Sequence, residues 1–259
     1  GHPVAFLETG AKNTRVVDPA FGLRVIPGAR PEHVYRDGTR LLVRAATAKG
    51  GGDLTQVDLP TSASKPITSG LQVEAARVSD GETAIAIAHF TKKCIKYPDN
   101  PSTCHTQIWG LARYTEAGGL LQLAEASQPV SVAWVGDDGS MLVTGRLFDG
   151  PAPDSAPSGS EPASRTYLLG PDGARLRTWD GDLRRAWGAG GTVFVAWWTS
   201  KKVVLEAVSA KGGEPVTVAE GFDIRLGLDE RKERVFLVVT PPTDAGLPDE
   251  LWAGRVPSL

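Results

Sequence analysis

A short strand, a tight acidic or glycine-bearing turn and then a strongly apolar strand recur five times along this chain. The copies read VYRDGTRLLV (34–43), RVSDGETAIAIA (77–88), WVGDDGSMLVTG (134–145), WGAGGTVFVAWW (187–198) and, weakened, LGLDERKERVFLVV (226–239). Asp-Gly between two alternating apolar runs is a strong hairpin signal, because its tight turn needs backbone with positive φ. With Gly38, Gly81, Gly139, Gly191 and Lys232 as equivalent turn positions, the copies stand about 43, 58, 52 and 41 residues apart, within or slightly above the length of a four-stranded β unit.

After each apolar strand come a loop, a third strand, a turn and a fourth strand. These are DLTQVDL then KPITSG, TQIWGLARY then GLLQLAEA, SRTYLLG then ARLRTWDG, and KVVLEAV then EPVTVAEG. The fifth copy has only its third strand, DELWAGRV. The expectation is an all-β, five-bladed β-propeller over residues 3–259, with blades near 24–70, 71–127, 128–182, 183–221 and 222–259. An exposed sheet edge is a liability, so the N-terminal segment 3–23 is expected to close the ring by completing the last blade. A β-sandwich or a pair of small β domains is the alternative for the same strands.

The Asp-Gly, two residues, aliphatic-strand pattern at Asp37-Gly38, Asp80-Gly81 and Asp138-Gly139 resembles the repeats of TolB-like bacterial β-propellers. Gly190-Gly191 and Glu230-Arg231 depart from it. The resemblance implies that loops joining strands two to three, and one blade to the next, emerge on one binding face. Loop length then becomes a map of function. The second-to-third connection is very short at TSKK (199–202) and moderate at AKGGGD (48–53). It is long at 91–106, at 148–165 and at 240–250. The 148–165 loop is rich in Pro, Ser, Ala and Gly, and is expected to stay mobile until it meets a partner.

Both cysteines, Cys94 and Cys104, lie in the first of these long loops, with nine residues between them, at a hairpin neck. A disulfide there would stabilise the fold by roughly 2–3 kcal/mol, mainly by restricting the unfolded chain. It would present Tyr97, Asp99 and Asn100 at the loop tip, and it points to an oxidising, extracytoplasmic compartment: periplasm or cell surface, lipid-anchored before trimming. Metal binding by Cys94, Cys104 and His105 lacks a fourth ligand and the usual spacing, so no metal site is assigned. Gly1-His2 reads as a tag remnant and stays outside the argument.

With 28 basic and 30 acidic residues, the net charge is −2, which leaves no cationic field for nucleic acid. No apolar run reaches membrane-spanning length. No Walker loop, GxSxG, HExxH or GxGxxG occurs, so no catalytic residue and no cofactor are nominated. Turn chemistry accounts for Asp37, Asp80, Asp137 and Asp138, and His33 and His89 read as structural. Trp197-Trp198 must face opposite sides of their sheet, and Trp198 beside the short TSKK loop is a candidate binding residue with His105. The expected function is a non-catalytic binding or scaffold domain that engages a protein partner. A carbohydrate-active propeller, lectin or glycoside hydrolase, is the alternative.

Overall fold

Alternation of apolar side chains along each strand dictates how the sheets stack. In the apolar strand 192–198, Val193 and Val195 enter one core cluster with Trp134, Leu142 and Leu168, while Phe194 and Ala196 enter another with Leu205, Ile224 and Leu237. The same holds for Leu41 and Val43 against Leu42. A strand whose two faces are both buried reads as a continuous apolar run, which is why these segments stood out in the sequence.

The computed structural model describes residues 4–7, 13–18, 22–47, 52–93, 106–151, 164–180, 182–189, 191–199, 201–228, 234–241 and 248–256. They form antiparallel sheets in chain order. The first has three strands, β1 (Val4–Leu7), β2 (Thr14–Asp18) and β3 (Gly22–Ile26). Four-stranded sheets follow: β4 (Ala29–Val34), β5 (Arg40–Ala45), β6 (Leu54–Asp58), β7 (Ser64–Pro66); then β8 (Gln72–Val78), β9 (Ala84–Lys93), β10 (Thr106–Thr115), β11 (Gly119–Ala126). Next come β12 (Ser131–Val135), β13 (Met141–Gly145), β14 (Arg165–Leu169), β15 (Arg175–Trp179), and β16 (Asp182–Ala189), β17 (Thr192–Trp198), β18 (Val203–Ser209), β19 (Val216–Gly221). The last sheet again has three strands, β20 (Asp223–Leu228), β21 (Arg234–Thr240) and β22 (Glu250–Arg255).

Five repeats were expected, and the described residues carry six sheets. The difference lies at the N-terminus. The segment expected to lend one strand to the last blade instead pairs with itself, Val4↔Val17 and Val16↔Arg24 among its partners. Among the described residues β22 pairs only with β21, so the expected ring closure is not among the described pairings. Packing divides the chain into two units, Gly1–Val130 with Leu147–Pro162, and Ser131–Arg146 with Ala163–Leu259, each holding three of the sheets. No helix among the described residues is long and apolar enough to cross a membrane.

The hairpin turns are built alike. Gly38 N–H donates to Tyr35 O (2.9 Å) and Gly139 N–H to Gly136 O (3.0 Å), with φ of 68° and 88° at the two glycines. In the second repeat the equivalent donor is Glu82, bonded to Ser79 O at 3.0 Å with φ of 60°. The left-handed residue is therefore Glu82 rather than Gly81, a one-position correction to the expected turn alignment. Asp37 and Asp138 act as turn residues, accepting from Thr39 N–H (2.9 Å) and Ser140 N–H (2.9 Å).

Candidate functional site

Cys94, Tyr97, Asp99, Asn100, Cys104 and His105 lie outside the described residues, as do 152–163 and 242–247 of the other long loops. Trp198, the remaining candidate, is described. It ends β17 at the short second-to-third connection of the second unit, where the TSKK turn is tied by Thr199. The Thr199 hydroxyl donates to Lys202 O (2.8 Å) and accepts from Lys202 N–H (3.1 Å). The two tryptophans diverge as alternation requires: Trp197 packs on the cluster shared with β12–β15, and Trp198 on the cluster shared with β20–β22.

Two further residues gather at Trp198. Phe222, in the link from β19 to β20, meets it edge to face, with centroids 6.1 Å apart and planes at 83°. Arg184 places its guanidinium carbon 5.1 Å from the Trp198 ring centroid. The sheet geometry explains both. The β16–β17 register slips between Leu183 and Arg185, so Arg184 is the extra residue of a β-bulge, which re-aims its side chain. Phe222 N–H is held to Thr240 O at 2.7 Å, which fixes the link while the residue stays 48% exposed.

Phe222 and Arg184 were not identified in the sequence. A bulge has no sequence signature of its own, and a phenylalanine in EGFDI reads as an ordinary strand residue. Charged side chains rim the cluster: Lys202 pairs with Glu220, and Arg225 Nε lies 3.2 Å from Asp223 Oδ2. A partly buried tryptophan and an exposed phenylalanine, with a guanidinium over one ring and ion pairs at neighbouring positions, are apolar at the centre and polar at the edge. That is the anatomy of a small recognition patch. Arginine over tryptophan contributes about 0.5–1 kcal/mol at an exposed site.

At the first-to-second turns of the first unit, a second polar cluster is self-satisfied. Glu82 Oε1 accepts from Arg36 N–H (2.7 Å) and meets His33 Nε2 (3.0 Å), latching the β4–β7 sheet to the β8–β11 sheet. His33 packs edge-on against Tyr35, whose hydroxyl is pushed up to about 12 by burial. His89 is buried over Gly110 with Nε2 2.8 Å from Gln122 Oε1, and burial holds its pKa below the usual histidine value. Both histidines have structural contacts, as the sequence suggested. Among the described residues no group of three His, Cys, Asp or Glu is placed to hold a metal ion.

No protein-family model matches the chain, and no curated protein matches it either. Among solved structures it is similar to one reported in an analysis of two prolyl endopeptidases, with a TM-score of 0.55, 16% identity, and 99% of this chain covering 41% of that one. It is also similar to an oligogalacturonate lyase in complex with manganese, with a TM-score of 0.51, 11% identity, and 93% of this chain covering 67% of that one. TolB from Acinetobacter baumannii aligns at a TM-score of 0.44 and 13% identity, 93% of this chain covering 59% of it. At these identities the likeness concerns the fold alone. The chain spans two thirds or less of the length of these structures.

Proposed function

We propose that this chain is a non-catalytic binding domain of β-propeller type, each of its sheets serving as one blade, that engages a protein partner through the face carrying its second-to-third and sheet-to-sheet loops. The observation that carries this reading is the Trp198–Phe222–Arg184 cluster, in which a partly buried tryptophan supports an exposed phenylalanine between two such connections. Aromatic and arginine side chains dominate the energetics of protein interfaces, and a half-exposed phenylalanine held on a fixed backbone loses little freedom on binding. On this reading the protein works in an extracytoplasmic compartment, which the two cysteines of the 91–106 segment support if they form a disulfide.

The carbohydrate-active alternative has weaker support. Sugar stacking needs a free indole face, and Arg184 lies over the Trp198 ring. The experiment is a paired one: capture of a partner by the full chain and by Phe222→Ala, with a glycan array run on both. Loss of the partner with Phe222→Ala and a blank array support the proposal. A glycan signal abolished by Trp198→Ala, or turnover of a polysaccharide, would sink it.

A further inference from the structure

The first strand of each four-stranded sheet carries a bulge at the same level, with Glu32, Glu74, Ala133 and Arg184 as the extra residues. The shared register makes positions equivalent from sheet to sheet. Glu32 is set against Val43 and Leu42 as Arg184 is against Trp197 and Ala196, so Arg44 of β5 and Trp198 of β17 occupy the same place. In the first unit that place is closed within the chain. Arg44 Nε lies 2.7 Å from Glu32 Oε1, and its Nη1 donates to the carbonyls of Val73 and Glu74 in the next sheet. The two side chains are only 15% and 12% exposed. In the second unit the bulge residue is a cation and its counterpart a tryptophan, so the equivalent pair contains no anion.

The bulge also doubles the charge. Leu183 and Ala186 pack on the same cluster three residues apart instead of two, so Arg184 and Arg185 between them both fall on the side of Trp198. Both arginines are exposed, and among the described residues neither meets a carboxylate at ion-pair distance. The described acids of the adjoining strand ends are engaged elsewhere: Glu220 with Lys202, Asp223 with Arg225 and Asp180 with Arg165. A guanidinium stacked on an indole keeps its N–H groups in its own plane, and that fork matches a carboxylate. Resting on the reading of this patch as a protein-binding surface, we infer that the partner meets it with an acidic segment. One carboxylate pairs with Arg184 and a second with Arg185, beside the side chain that packs on Phe222. The net charge of −2 supplies no wider cationic field, which favours an acidic peptide over nucleic acid.

The test is selection from a displayed library of random peptides on the full chain, in parallel with a variant carrying Arg184→Glu and Arg185→Glu, both shown to be folded by circular dichroism. The wild type should enrich peptides with paired acids beside an apolar side chain, and the reversed variant should enrich lysine and arginine instead. Synthetic copies of the acidic peptides should lose about tenfold or more in affinity when their acids become amides, and likewise against Arg185→Glu alone. Phe222→Ala separates the two claims. Enriched peptides that are not acidic but lose affinity for Phe222→Ala would keep the loop-face reading and overturn this inference; acidic peptides that Phe222→Ala leaves unaffected would do the reverse. No enriched sequence on the folded wild type, or the same sequences on both proteins, overturns it. Binding of a labelled oligothymidylate in place of any acidic peptide overturns it as well. So does an acidic preference that appears only in a variant with Asp182→Asn, Asp229→Asn, Glu230→Gln, Glu233→Gln and Asp244→Asn, since the chain would then supply the carboxylates itself.

Discussion

Glu82 occupies a backbone conformation that costs an L-residue roughly 1–2 kcal/mol, yet its carboxylate is what joins two sheets. Glu82→Ala keeps the strain and strands two donors, Arg36 N–H and His33. It should lower stability by about 1–3 kcal/mol in urea unfolding. Glu82→Gly loses the same bonds but relieves the backbone, so its midpoint should fall between those of the wild type and Glu82→Ala. An alanine variant as stable as the wild type would show that the latch contributes nothing. His89 sets a pH dependence. Its folded pKa lies below 6.5, so its contribution is fully present above pH 6.5 and is lost as pH falls below that value and through the depressed one. Stability measured across this acidic window should decline in the wild type and decline less steeply in His89→Gln. Residue-level legibility was uneven: the Asp-Gly pairs revealed the turns, but positive φ falls three residues after the residue that opens the turn, at Gly38 after Tyr35 and at Glu82 after Ser79, and in the second repeat the Asp-Gly pair sits one place earlier in that span.

Strands were more legible than residues, because a strand packed between two others must be apolar on both faces. The hairpins β4–β5, β8–β9, β12–β13, β16–β17 and β20–β21 all fall at the recurring Asp-Gly or Gly-Gly signal or its weakened copy. The first sheet escaped notice because 4–26 carries no such turn and its strands have only four or five residues. Contacts between neighbouring sheets were invisible for another reason: they join residues far apart in sequence. Gly188 on β16 is an example, with the Trp134 indole of β12 lying directly against it where a Cβ would stand. Gly188→Ala should displace that ring and cost about 1–3 kcal/mol, read as a lowered thermal midpoint. An unchanged midpoint would mean that the two strands separate easily. The bulge at Arg184 belongs to the same class, since a one-residue slip in pairing leaves no trace in composition.

At the scale of the whole molecule, a near-neutral charge and an all-β framework leave function to surface patches, and the patch at Trp198, Phe222 and Arg184 was only one-third visible in the sequence. Trp198 was picked for its place beside a short loop; its partners come from a bulge and an inter-sheet link. The cysteine-bearing loop adds a prediction of its own. Protein purified from an oxidising compartment should take up alkylating reagent at Cys94 and Cys104 only after reduction, read by intact mass, and two free thiols before reduction would reject the bridge. The central claim, that the loop face of the second unit engages a protein, is tested most directly by site-specific photo-crosslinking. A photoreactive residue is placed at position 222 of the full chain, and in a separate preparation at position 37 in a first-to-second turn. A discrete protein adduct from position 222 that position 37 does not give, and that Arg184→Ala weakens, is the expected result. Identical adducts from both positions, or none from 222 while polysaccharide binds and is lost with Trp198→Ala, would contradict it.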